Sequence, residues 1–320
     1  MESAVRWGRW RLLALTVFAV CCFGLMMSLY GVLVAWLVID GMLKITSAAL
    51  VGAAGLLLGF AVAGLIVWLD LSHVKQPIEA FLANALEPNP EAPAMLRATE
   101  LVAGMSIAAG IPAPRVQVVR HGCPNALSVG TSPKSTDVYV TTGLLRLLNR
   151  DEQEAVIASM VTSIGRYDVA CGTTAYSIGS GMSDMAMMWL SSNDPRSWLL
   201  TAGLSPFWLA GAVTRRLVLR WGGEERDAEA MTFTRYPPAL YSALMKLRDD
   251  HQELGPVPAD TGHLWFETPA VEATRRIGKS RRLDSTLDHR IEQVARHLRL
   301  IDPTWTQPPT RVGPAPLPSG

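Results

Sequence analysis

Two histidines spaced four residues apart on a helix lie on one face and can hold a metal ion together. The chain has six histidines, His73, His121, His251, His263, His289 and His297, and no two have that spacing. HExxH, which adds a glutamate general base to such a pair, is therefore absent. The cysteines Cys21, Cys22, Cys123 and Cys171 form no CxxC pair, so neither a zinc ribbon nor a dithiol redox motif is supported. Nor do they suggest a disulfide framework, which places the globular part in a reducing compartment. Ser159 or Ser163 could act as a nucleophile only with a base, for which His121 is the candidate, and no GxSxG is present. Gly278-Lys279-Ser280 ends like a phosphate-binding loop, but Ala273 stands where its first glycine belongs and no strand precedes it. Met182, Met185, Met187 and Met188, beside Trp189, have the pattern of a packed or lipid-facing helix rather than of soft-metal ligands. What remains is a set of His121, Asp168, Glu224 and Asp227. Its oxygens suit a hard cation if the fold gathers them, and caps or ion pairs if it does not.

The elements that must position these groups begin with a membrane anchor. Leu12 to Ile39 carries no charged side chain, and Ala48 to Leu69 is a second apolar run. At about 1.5 Å per residue each spans a hydrocarbon core of about 30 Å. Backbone in lipid must satisfy its own hydrogen bonds, so two helices joined through Asp40 to Lys44 as a hairpin are expected. The first run is too long for a signal peptide and lacks its cleavage pattern. Gly52, Gly55, Gly59 and Gly64 would permit close helix packing. Arg6, Arg9 and Arg11 precede the first helix, so the N-terminus and the domain after the second helix belong in the cytoplasm. Residues 169–190 and 198–213 are also apolar. They are open to three readings: further spans, a hairpin dipping into the bilayer, or buried core helices. The arginines that follow, Arg215, Arg216 and Arg220, favour membrane association.

The sequence divides into a membrane hairpin (1–75, helices about 12–39 and 48–69), a Pro-rich linker (76–95), a domain (96–301) and a tail (302–320) too rich in proline to bury a core. In the domain, Met95 to Ala109 predicts a helix stopped by Gly110. Arg115 to Arg120 and Asp137 to Thr142 predict strands, with a loop around Gly122, Pro124 and Gly130 between them. Asn149-Arg150-Asp151-Glu152 starts a helix with acids in its first turn. Further helices are expected over Glu224 to Thr234, Pro238 to Leu247 and Leu287 to Leu300. The net charge of +1 and the absence of zinc-finger, helix-turn-helix or RNA-binding signatures argue against nucleic acid as a partner. Arg275, Arg276, Lys279, Arg281 and Arg282 form a basic cluster that fits either anionic lipid headgroups or a solvated helix face.

Several segments resemble the HtpX-type membrane zinc metallopeptidases, in that family's order and spacing. They are Ser106-Ile107-Ala108-Ala109-Gly110-Ile111-Pro112 with Pro114; Pro124-Asn125-Ala126-Leu127-Ser128-Val129-Gly130; and Val140-Thr141-Thr142-Gly143-Leu144-Leu145 followed by Leu148 to Glu152. His263-Leu264-Trp265-Phe266 also resembles a segment of some members. With the hairpin, the similarity covers roughly residues 10 to 300 and loosens after Asp168. It implies an α+β, mostly helical chain: a transmembrane hairpin plus a zincin-like peptidase domain.

The resemblance also implies a zinc site whose ligands are missing. Ser159 and Ser163 stand where the family has its two histidines, and Met160 where it has its general base. The later Asp is kept as Asp168. In the second motif Asp227 keeps register, but Gly223 stands where the third ligand, a glutamate, belongs, and Glu224 is one position off. A serine hydroxyl is a poor zinc ligand and a methionine takes no proton. The expected protein is thus a pseudo-enzyme without a metal, its small serines filling the vacated pocket and any residual polar site drawn from Asp168, Glu224, Asp227, His121 and Asn125. Its expected partners are the lipid bilayer and unfolded or membrane-protein segments. Two rivals are an active zinc metalloendopeptidase of membrane-protein quality control with unconventional ligands, and a structural membrane protein whose cleft has closed.

Overall fold

The computed structural model describes residues 2–39, 45–76, 78–80, 87–88, 92–177, 223–250, 259–267 and 281–306. Most of segments 169–190 and 302–320, all of 198–213, and all but the last two residues of the basic cluster lie outside them.

Two long helices, α1 (Glu2–Ile39) and α2 (Ile45–His73), pack along one another. Small residues set their approach. A Cβ at Gly24 would lie 2.4 Å from the Phe60 ring, and one at Gly59 2.6 Å from the Ser28 hydroxyl. Of the glycines expected to pack, Gly59 does so, Gly64 has open space, and the side-chain positions of Gly52 and Gly55 are outside the described residues. Many large apolar side chains on the two helices find no protein cover, Leu57 being 76% exposed. Among the described residues, one helical stretch, Leu57–Ala80, is long and apolar enough to cross a membrane, with mean hydropathy 1.8.

The domain is mostly helical with a small mixed sheet. Strands β1 (Glu87–Pro88), β2 (Arg115–Arg120), β3 (Ala126–Val129) and β4 (Asp137–Thr141) lie in the order β1-β2-β4-β3. β2 and β4 run parallel, and the outer strands are antiparallel to them. Two expectations change here. The linker read at 76–95 gives the sheet its edge strand β1, and the loop read between the predicted strands contains β3. All four β3 side chains are buried, so the polar–apolar alternation that marks a half-exposed strand is missing.

Alternation in β4 sends Val138 and Val140 one way and Tyr139 the other. Val138 and Val140 pack on α5 (Arg150–Gly165) through Val156, Met160 and Ile164. β2 meets α3 (Ala92–Ala109) and α5 through Val116 and Val118. Tyr139, Leu127 and Val119 instead meet Val74, Ile78, Tyr176, Leu264 and Trp265. Gly110 ends α3 at φ 67, where Ile111 N–H reaches back to the Ser106 carbonyl at 3.0 Å. A short α4 (Thr142–Leu147) leads into α5. The last layer is α6 (Gly223–Met231), α7 (Pro238–Asp249) and α8 (Arg281–Ile301), packed together around Met231, Leu240, Leu244 and Ile291.

The hairpin docks at both of its domain ends. The Gly8 backbone lies so close to the Arg166 carbonyl that a Cβ would sit 2.0 Å from it. Arg11 pairs with Asp168 at 3.5 Å, and Lys75 with Asp137 at 2.6 Å.

Candidate functional site

Helix α5 is fixed at its start by a reciprocal cap. The Asn149 side chain accepts from Glu152 N–H at 2.9 Å, and the Glu152 carboxylate accepts from Asn149 N–H at 2.8 Å. Glu152 also takes Lys246 Nζ at 2.7 Å and the Ser242 hydroxyl at 2.9 Å, which ties α5 to α7. From this anchor the helix runs almost wholly buried and carries Ser159, Met160 and Ser163 inward.

Ser159 is fully buried and faces α6. Its hydroxyl donates to Asp227 Oδ1 at 2.7 Å. Arg290 of α8 grips the same carboxylate from the other side. Its Nε donates to Oδ2 at 2.9 Å and its Nη2 to Oδ1 at 3.1 Å. Arg226 adds a longer contact, Nε to Oδ1, at 3.4 Å. The remaining Arg290 nitrogen, Nη1, donates to the Phe266 carbonyl at 2.9 Å, and the guanidinium lies 4.5 Å from the Phe266 ring centroid. Asp227 is 2% exposed. Burial by itself would raise its pKa, but the cations Arg290 and Arg226 and the hydrogen bonds from Arg290 and Ser159 outweigh it. The carboxyl is held well below the usual carboxylate range.

Ser163 turns back on its own helix, donating to the Met160 carbonyl at 2.7 Å. Met160 packs among Val138, Val140 and Val156. Gly223 and Glu224 open α6, and their side-chain positions lie outside the described residues.

The other sequence-predicted site residues are held in separate networks. Asp168 sits between Arg11 and Arg166, and its pKa is raised, burial prevailing over the attraction of Arg11, Arg166 and Arg226. Arg166 also pairs with Glu225 and Glu229 of α6. Arg226 contacts Asp227 and lies within electrostatic range of Asp168. His121 braces a turn. Its Nδ1 accepts from Cys123 N–H at 3.1 Å, and its backbone exchanges hydrogen bonds with the Thr142 hydroxyl. Burial lowers the pKa of His121. Asn125 faces residues 265–267. Its Nδ2 donates to the Glu267 carbonyl at 2.7 Å, and its Oδ1 accepts from Glu267 N–H at 3.1 Å. Phe266 N–H bonds the Ala126 carbonyl at 2.7 Å, and Leu127 bridges Trp265. The outer edge of β3 is thereby covered by the chain's own backbone.

The family comparisons agree with this architecture. Residues 95–159 match the sequence model of Peptidase family M48, a match that ends at Ser159. A Protease HtpX homolog of Dictyoglomus turgidum is 31% identical over 265 residues, covering 78% of this chain and 84% of the relative. The chain belongs to the HtpX-type branch of family M48. A homolog from Tropheryma whipplei is 34% identical over 179 residues, covering 52% of this chain and 62% of the relative. Another, from Streptococcus equi subsp. equi, is 30% identical over 217 residues, covering 61% and 71%. No solved structure is matched.

M48 peptidases are generally zinc-dependent, so the donor set here can be tested against a zinc ion. It does not fit. Ser159 spends its proton on Asp227, Ser163 on its own helix, and both Asp227 oxygens accept from a guanidinium. An added dication would meet Arg290 and Arg226 at that carboxylate. Among the described residues no group of three or more His, Cys, Asp or Glu side chains is placed to hold a metal. Serine chemistry fares no better, since Ser159 has a carboxylate partner and no exposed surface.

Sequence reasoning missed Arg290 and Arg226, and it singled out residues 263–266 by resemblance without placing them against Asn125 and β3. Arg290 carries a legible signal: it interrupts the apolar stripe Leu287, Ile291, Val294, Ala295 and Leu298 of α8. A charge in such a stripe needs a buried partner.

Proposed function

We propose that this chain is a catalytically inactive, membrane-anchored HtpX-type protein that binds or regulates other membrane proteins. One observation carries the inactivity: a bidentate guanidinium, Arg290, sits on Asp227, the carboxylate that also holds Ser159, where the family resemblance places the first zinc-binding histidine. Hydrolysis by this family requires a polarised, metal-bound water and a base to take its proton. The two serines, Met160 and an arginine-saturated carboxylate supply neither. The anchor rests on Leu57–Ala80 and on the uncovered apolar faces of α1 and α2, which a hydrocarbon phase would satisfy. Arg6, Arg9 and Arg11 support a cytoplasmic N-terminus.

The covered edge of β3 favours a second reading, a structural membrane protein with a closed cleft. An extended peptide would bind at such an edge by adding a strand, and residues 265–267 already occupy it. Photo-crosslinking from position 127 or 129 in cells separates the two readings: peptide adducts support a binding role, intrachain adducts the closed cleft.

Inactivity is tested by elemental analysis and casein cleavage on one detergent-purified sample, before and after zinc supplementation. The expected outcome is under about a tenth of an equivalent of zinc and no cleavage, because no complete ligand set offsets the cost of desolvating the ion. Near-stoichiometric zinc with chelator-sensitive cleavage overturns the reading.

A further inference from the structure

A cavity of about 560 Å³ opens where the start of α1 passes the end of α3, bounded by Arg6, Arg9, Trp10, Leu13 and Gly110. Its wall is mostly apolar, with Arg6 and Arg9 among its lining residues, and it leads into the uncharged run beginning at Leu12. Depth can be worked from helix geometry. Arg9 and Arg6 lie three and six residues before Leu12, about 4.5 and 9 Å further along the axis at about 1.5 Å per residue. The headgroup zone of a bilayer extends roughly 5–8 Å beyond each face of the hydrocarbon core. Arg9 therefore falls within the headgroup zone when Leu12 stands at the hydrocarbon boundary, and Arg6 lies about 1 Å beyond it, a distance its long side chain spans.

Three further features point to the same plane. Trp10, which lines the cavity, and Trp7 on the same stretch of α1 are both exposed, as interfacial tryptophans are. Ile107, one turn before Gly110, is 81% exposed, a wasteful position in water and a favourable one against lipid. Val17 extends the exposed apolar face of α1 toward the core of the bilayer. Glu2 also lines the cavity, so its wall carries two cations against one anion.

We propose that this cavity holds one anionic phospholipid, its phosphate between Arg6 and Arg9 and an acyl chain along Trp10 and Leu13. The proposal rests on the membrane-anchored reading above. The excess positive charge selects a negatively charged headgroup over a zwitterionic one. The apolar wall selects a lipid over free phosphate. Arg9 also donates from Nε to the Tyr167 hydroxyl at 3.1 Å, and its guanidinium lies 5.5 Å from that ring's centroid, so a phosphate would be met by its terminal nitrogens. A bound lipid would thus bear on the junction between α1 and the end of α5, where Gly8 meets Arg166.

The test uses the full chain in nanodiscs of phosphatidylcholine with phosphatidylglycerol, counting lipids retained after release by native mass spectrometry. One phosphatidylglycerol should be retained in several-fold preference over phosphatidylcholine. Arg6→Gln should cut that preference, on the order of fivefold or more, because a charge-assisted contact to phosphate is lost. Arg299→Gln, an exposed arginine on α8, should leave it unchanged. Trp10→Ala should lower retention of both lipids while keeping their ratio. Equal retention of the two lipids, an unchanged preference in Arg6→Gln, or displacement by excess inorganic phosphate overturns the proposal while the anchor stands. A chain that leaves the nanodisc as a lipid-free species overturns both.

Discussion

Replacing Arg290 by methionine removes the cation that neutralises Asp227 but keeps much of the side-chain volume. The carboxylate it leaves is 2% exposed and retains only the Ser159 hydroxyl at 2.7 Å and Arg226 at 3.4 Å. Breaking a buried pair by deleting one partner costs about 3–5 kcal/mol, mostly the burden of an uncompensated charge. Since a single kilocalorie shifts the midpoint of a domain this size by roughly 2–4 °C, the melting temperature should fall by about 10 °C. The assay is thermal unfolding in detergent, followed by tryptophan fluorescence from pH 7 downward. Asp227 has a depressed folded pKa, so the stability it contributes is complete above the unfolded carboxylate value of about 3.9 and is lost only as pH falls through the lower folded value. The wild-type advantage over Arg290→Met should therefore persist from pH 7 to about pH 5 and narrow in stronger acid as both proteins bind protons. Adding Asp227→Asn to Arg290→Met should recover part of the loss, because the buried carboxylate charge is then gone and Arg226 keeps Asp168 within electrostatic range. A cost below about 1 kcal/mol, or strictly additive single and double variants, would show that the pair does not close the site in this way.

Other contacts give independent checks. Gly8→Leu places side-chain atoms against the Arg166 carbonyl, where even a Cβ would lie at 2.0 Å, so α1 should lift from the end of α5 and protease cleavage near Tyr167 should accelerate. Asn125→Ala removes three hydrogen bonds to the backbone of Ala126 and Glu267, a loss of about 2–4 kcal/mol at roughly 1 kcal/mol each, and Phe266 N–H should lose protection from deuterium exchange. Asp168 has a raised folded pKa, so its protonated form suits the fold better: its contribution is fullest below the unfolded value and declines as pH rises through the folded one. Asp168→Asn should then flatten the change in melting temperature between pH 4 and pH 7, and an unchanged profile would contradict this.

Local order was legible in the sequence because local chemistry sets it. Asn149 and Glu152 announce the cap of α5, Gly110 the stop of α3, and the valines of 115–120 and 137–141 the two parallel strands. The motifs at 106–114, 124–130 and 140–152 carry the family, and the missing HExxH is a fact of the sequence alone. The strand at 126–129 was not legible, because its pairing with β4 and the cover of residues 265–267 bury every side chain and erase the alternation.

Which groups meet at Ser159 was decided by tertiary structure alone. Nothing in the order of residues says that Ser159, Asp227 and Arg290 share one buried point, since the contacts join positions 68 and 63 residues apart. The sequence determined that no HExxH is present. Only the packing of α6 against α5 and α8 determined that Arg290 pairs with the Asp227 carboxylate, because a buried charge must find its partner wherever the fold brings one.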